Sequence, residues 1–134
     1  MSMPPEADAI GTPAEWLRHA RSNLARANQA KPVEVLWEDL CFDAQQAAEK
    51  AIKAVLVERG VEFPKTHDIA ELFQVLEQSG IEVADDLWKS HVLTKYAIET
   101  RYPGPAPVTE DAYREAVALA EQVVRWAEGI VHGG

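Results

Sequence analysis

The sequence has little cysteine and little basic charge, and it has no long hydrophobic run. Cys41 is the single cysteine of 134 residues. One thiol excludes an internal disulfide framework and any zinc site built on several thiolates. It suits a reducing compartment, so a cytoplasmic location is expected. No apolar stretch approaches the roughly 18 residues that cross a bilayer, so no membrane association is expected. Residues 1–11 carry Glu6 and Asp8, no lysine or arginine, and no apolar core. They do not read as a secretory signal. We expect a disordered leader over 1–11 and a folded domain over 12–132. Lys and Arg number 13 against 22 Asp and Glu, a net charge of -9. Such a chain is a poor partner for broad stretches of nucleic-acid backbone, which leaves only a local basic patch for that role. There is no glycine-rich phosphate loop, no His-Glu-x-x-His and no paired Cys-x-x-Cys. No metal and no cofactor are expected.

Helical punctuation is plentiful. Thr12-Pro13-Ala14-Glu15 is a capping box with proline at the first helical position. It predicts a helix to about Ala30, with Trp16, Ala20, Leu24 and Ala27 on one face. Lys31-Pro32 interrupts it. A second helix is expected from near Pro32 to about Arg59, stopped by Gly60. Its wide apolar face (Leu36, Leu40, Ala44, Ala47, Ala48, Ala51, Ile52, Val55) is rich in alanine and would let another helix approach closely. Thr66 caps a third helix over about 67–78 with Asp68 in its first turn, and Ser79-Gly80 ends it. A fourth helix is expected over about 85–100, ended by Pro103-Gly104-Pro105-Ala106-Pro107. Thr109 opens a fifth that runs to about Gly129. Sustained alternation and Asn-Gly hairpins are missing. The fold class is all-α, an antiparallel up-and-down bundle of four to five helices. The four tryptophans are expected mainly in the core or an interface.

Three segments carry candidate chemistry. On the second helix, Gln46, Lys50 and Lys53 share one face, and Glu49 precedes Lys53 in the favourable i,i+4 order. Either these donors converge on a ligand or they form the wet stripe opposite the apolar face. In Pro64-Lys65-Thr66-His67-Asp68, a lysine, a helix start and His67 meet within a few residues. This is either an anion site or a capped helix whose histidine orients a loop. In Tyr96-Ala97-Ile98-Glu99-Thr100-Arg101-Tyr102-Pro103, a planar guanidinium and an aromatic ring precede a proline-rich loop. Arg101 suits phosphate and Tyr102 suits base stacking, or the two cap and pack. Cys41 reads as a buried small apolar residue.

The ordered set of these segments, with Trp16-Leu17 on the first helix and Gly60 and Phe63 before the third, resembles the HEPN family (higher eukaryote and prokaryote nucleotide-binding domains). The likeness is to the prokaryotic stand-alone type often encoded beside a minimal nucleotidyltransferase, and it spans about residues 13–130. The resemblance implies a helical bundle that dimerises, with a cleft at the dimer interface. Many members are metal-independent RNases of toxin–antitoxin systems, with an arginine followed after four to six residues by a histidine. In such a site the histidine works as acid/base and the arginine steadies the phosphorane. Arg101 sits at the family's arginine, but residues 102–108 contain no histidine. Arg125 and His132 match the spacing but lie at the C-terminal end, away from that position. The resemblance therefore implies a dimeric nucleotide- or RNA-binding component of a toxin–antitoxin-like system. Its groove would be lined by Arg101, Tyr102, Lys50, Lys53, Gln46 and His67, with a nucleotidyltransferase as possible protein partner. The alternatives are a metal-independent RNase toxin that completes Arg101 with a histidine from elsewhere, and a purely structural interaction module.

Overall fold

The computed structural model describes residues 11–98 and 107–133. Helix α1 is Pro13–Ala27, α2 is Trp37–Glu58 and α3 is Ile69–Gln78. The short α4 (Asp85–Trp88) leads through a 3-10 turn, Lys89–Thr94, into α5 (Lys95–Ile98), and the long α6 is Glu110–His132. The described residues contain no strand. The chain is an antiparallel up-and-down helical bundle, as the sequence implies.

The central helix is α2. Its 22 residues include 14 that are buried, so it has almost no solvent face left. Ala44, Ala47, Ala48, Ala51 and Ala54 are fully buried. Their small side chains let α1 and α6, the elements that pack most extensively on α2, come close to its axis. α1 contributes Leu17, Ala20 and Ala27, and α6 contributes Ala116, Val117, Ala120, Val123, Val124 and Ala127. α3 closes one end through Ile69, Leu72, Phe73 and Leu76. Phe73 is fully buried, with its ring 5.2 Å from that of Trp88 and 6.1 Å from that of Trp126. Burying a side chain of this size contributes about 2–3 kcal/mol. Trp16, Trp88 and Trp126 pack against the core, and Trp37 lies against Tyr113 at 4.6 Å.

The caps follow the sequence in part. The Thr12 hydroxyl accepts from the Glu15 backbone N at 3.1 Å, and that of Thr109 from the Ala112 N at 3.1 Å. Gly60 and Gly80 have φ of +67° and +90°, the left-handed conformation that ends a helix. Past each glycine the chain folds back, with Val61 N on the Leu56 carbonyl and Ile81 N on the Leu76 carbonyl.

Five expectations are corrected. α1 stops at Ala27 and not near Ala30, because the Asn28 side chain takes up the Leu24 carbonyl and the Gln29 N turns to the Arg26 carbonyl, three residues back instead of four. α2 starts at Trp37 and not near Pro32, because Pro32 to Val35 form a turn. The Val35 N bonds the Pro32 carbonyl at 3.1 Å, and Lys31 Nζ holds the Val35 carbonyl at 2.7 Å. α3 is capped by Asp68, whose Oδ1 accepts from the Ala70 and Glu71 backbone N atoms, while the Thr66 hydroxyl only accepts from the Asp68 N. The expected helix over 85–100 is broken in the middle by the 3-10 turn. There the Ser90 hydroxyl donates to the Leu87 carbonyl at 2.6 Å, a side-chain bond that competes with helical pairing. α6 also runs past Gly129 to His132. No described helix is long and apolar enough to cross a membrane.

Candidate functional site

Two polar clusters lie along α2, both in positions that a bundle normally fills with apolar atoms. The first joins α2 to α1. Asn23 of α1 falls between Ala20 and Ala27 on the buried stripe, and it is itself buried. Its Nδ2 donates to Asp43 Oδ1 at 3.1 Å, and its Oδ1 accepts from Lys50 Nζ at 2.8 Å. Asp43 is buried and also has Arg26 at 3.4 Å, whose side chain is largely in solvent. Burial holds Lys50 below the ordinary lysine value, and the neighbouring Glu49 and Asp43 carboxylates oppose that shift. Buried polar groups must be satisfied, and this cluster satisfies them across two helices.

The second cluster runs toward the loop before α3. Glu49 is 3% exposed. Gln46 Nε2 donates to Gln45 Oε1, and Gln45 Nε2 donates to Glu49 Oε1, each at 2.7 Å. Lys53 Nζ donates to Glu49 Oε2 at 2.7 Å. The Lys53 ammonium also lies 5.7 Å from the Trp16 ring and 5.9 Å from the Phe63 ring. Aromatic faces favour a cation in this position. His67 comes in from outside, with Nδ1 3.0 Å from Glu49 Oε1. The Trp16 Nε1 is buried without a hydrogen-bond partner among the described residues.

Of the six sequence-derived site residues, four lie in this region. The structure brings Gln46, Lys53 and His67 together around Glu49, and it places Lys50 in the neighbouring Asn23 cluster. They do not form an open row of donors. Gln46 is half-buried against Gln45, and Lys53 is buried on Glu49. Nor are they a wet stripe, because α2 is wrapped on nearly all sides. Arg101 and Tyr102 lie outside the described residues. His67 precedes α3 and does not belong to its first turn. His91 is exposed on the 3-10 turn.

Sequence reasoning missed Asn23, Arg26, Asp43 and Gln45. A signal was present for two of them. Asn23 interrupts the apolar stripe Ala20–Ala27, and Asp43 follows Leu40 by three residues on the apolar face. Away from the polar clusters, Cys41 is fully buried, and burial pushes its thiol up to about 11. The Tyr113 hydroxyl, raised chiefly by burial, donates to the Ala27 carbonyl at 2.6 Å. Among the described residues no group of three or more His, Cys, Asp or Glu could hold a metal ion.

The chain that folds into this bundle matches a known family. The HEPN domain model covers residues 13–130. The chain belongs to the HEPN domain family. Its fold is similar to that of ST0689, an archaeal HEPN homologue, at 27% identity and a TM-score of 0.73. That match covers 90% of this chain and 98% of the homologue. It is also similar to TT1696 from Thermus thermophilus, at 31% identity and a TM-score of 0.75, covering 88% of this chain and 97% of that one. No protein of curated function matches the sequence. As an HEPN domain, the chain places Gln46, Glu49, Lys50 and Lys53 on the central helix of the bundle.

Proposed function

We propose that this HEPN domain binds a nucleotide or short RNA as a dimer, as a component of a toxin–antitoxin-like pair with a nucleotidyltransferase in the cytoplasm. One observation carries the reading. In a chain of net charge -9, Arg26, Lys50 and Lys53 gather around only two buried carboxylates, Asp43 and Glu49. This leaves a local excess of positive charge on an acidic molecule. Such a site takes a few phosphates and not a long duplex. Arg101 and Tyr102 would complete it with a guanidinium and a stacking ring. The absence of histidine over 102–108 supports binding without the family's usual RNase chemistry.

The apolar face of α2 is covered by α1 and α6, so it does not supply a dimer interface. Val33, 95% exposed, and Leu36, 57% exposed, supply apolar surface before α2 instead. Calorimetric titration with a mixed-sequence hexaribonucleotide tests the binding. The wild type should bind, and Arg101→Ala and Lys50→Met should weaken it with the fold intact. Equal binding by Arg101→Ala defeats the reading. The alternative is a metal-independent RNase that completes Arg101 with another histidine. It predicts cleavage of the same oligonucleotide without added metal, abolished by Arg101→Ala. Light scattering at micromolar concentration tests the dimer.

A further inference from the structure

His67 and Glu49 are joined in an unusual way for a surface histidine. The His67 side chain is 60% exposed, and the Glu49 side chain it contacts is 4% exposed. A carboxylate only accepts hydrogen bonds, so Nδ1 of His67 donates. That fixes where the ring proton sits and how the ring is turned. The other nitrogen, Nε2, has no partner among the described residues.

Loop anchoring does not require this contact. The start of α3 is already held by Asp68 on the Ala70 and Glu71 N atoms, by the Thr66 hydroxyl on the Asp68 N, and by the Thr94 hydroxyl on the Ile69 N at 3.0 Å. Glu49 does not need it either, since Lys53 and Gln45 already donate to its two oxygens. A buried ion pair thus stands behind an exposed ring and turns it. The charged neighbours are Lys53 behind it, exposed Lys65 beside it, and Asp68, whose Oδ1 is engaged in capping α3.

We infer that Glu49 is a positioning residue that holds His67 by Nδ1, so that Nε2 is the contact to a phosphate group of the bound ligand. The inference rests on the nucleotide- or RNA-binding reading and names one of its contacts. In the imidazolium both nitrogens donate, Nδ1 to Glu49 and Nε2 to a phosphate oxygen. In the neutral ring the proton stays on Nδ1.

The Asn replacement of the histidine separates the roles. The Asn amide reaches where Nδ1 was, so His67→Asn keeps a donor toward Glu49 and loses Nε2. The expected result is an unchanged Tm and hexaribonucleotide binding weakened about tenfold or more, the loss of one charge-assisted hydrogen bond. Wild-type affinity in a folded His67→Asn overturns the inference and leaves the binding reading standing. No binding by the wild type overturns both. Nitrogen-15 NMR of the neutral His67 ring gives an independent readout. The wild type should carry its proton on Nδ1, and Glu49→Gln should shift it toward Nε2. A wild-type proton on Nε2 overturns the positioning role even if binding is seen.

Discussion

Asp43 and Glu49 are both buried carboxylates on α2, and they are held in different ways. Asp43 is satisfied mainly by a neutral amide, Asn23, with an exposed guanidinium at longer range. Its partners come from α1, so it ties two helices of the bundle together. Glu49 is held by a buried ammonium from its own helix, by Gln45 one turn before, and by an exposed imidazole from a loop. Its contacts run from the interior to the surface. The difference teaches that a buried charge can serve packing or presentation, and the burial of its partners tells which. Lys53 is nearly as buried as Glu49 and cannot meet a large ligand directly, whereas His67 can.

The comparison is broken most severely by removing Glu49. Glu49→Ala leaves the Lys53 ammonium buried and unpaired, and should cost about 3–5 kcal/mol in chemical denaturation. Glu49→Leu combined with Lys53→Met should recover most of that loss, because desolvating an ion pair offsets much of its attraction. A double variant as unstable as the single one would show that the pair itself is the stabiliser.

Cys41, also on α2, shows what burial does when it outweighs the opposing Tyr96 hydrogen bond and the Lys95 charge. Its thiol rises from 9.0 to about 11 in the fold, chiefly through burial. The folded value exceeds the unfolded one, so stability is intact below pH 9.0 and falls as pH rises toward 11. A loss of roughly 2 kcal/mol across that window is expected from this thiol. Cys41→Ala should remove that part of the pH dependence, measured as denaturation midpoints at successive pH values.

Next comes the neutral partner of Asp43. Asn23→Ala leaves Asp43 and Lys50 each short of a hydrogen bond, and should cost about 1–2 kcal/mol. It should leave the His67 ring spectrum unchanged, which would show that the two clusters are separable. The smallest effect is expected at the exposed pair Glu15–Arg18, 3.0 Å apart in solvent. Arg18→Ala should leave Tm unchanged, because the surrounding water screens such pairs.

The helices were largely legible in the sequence because local rules govern them. Thr12-Pro13 opens α1, Gly60 ends α2 and Thr109 opens α6, each through caps made within a few residues. The errors fell where a side-chain contact outweighs local preference, as with Lys31 on the Val35 carbonyl before α2 and the 3-10 turn at Ser90. The site was legible only in part. Glu49 and Lys53 were visible as an i,i+4 pair, but their burial was not. That depends on α2 being central, which no residue of α2 announces by itself.

The sequence alone determined the helical class, the approximate number of helices and the family, because periodicity, caps and ordered motifs are written along the chain. Tertiary structure decided that α2 is wrapped on nearly every side. It therefore decided that Lys53 is interior while His67 is exposed, with its ring turned by Glu49. That pairing joins residues 18 positions apart. Only packing brings them within hydrogen-bonding distance, since a hydrogen bond reaches about 3 Å and neither residue's local preference encodes the other's position.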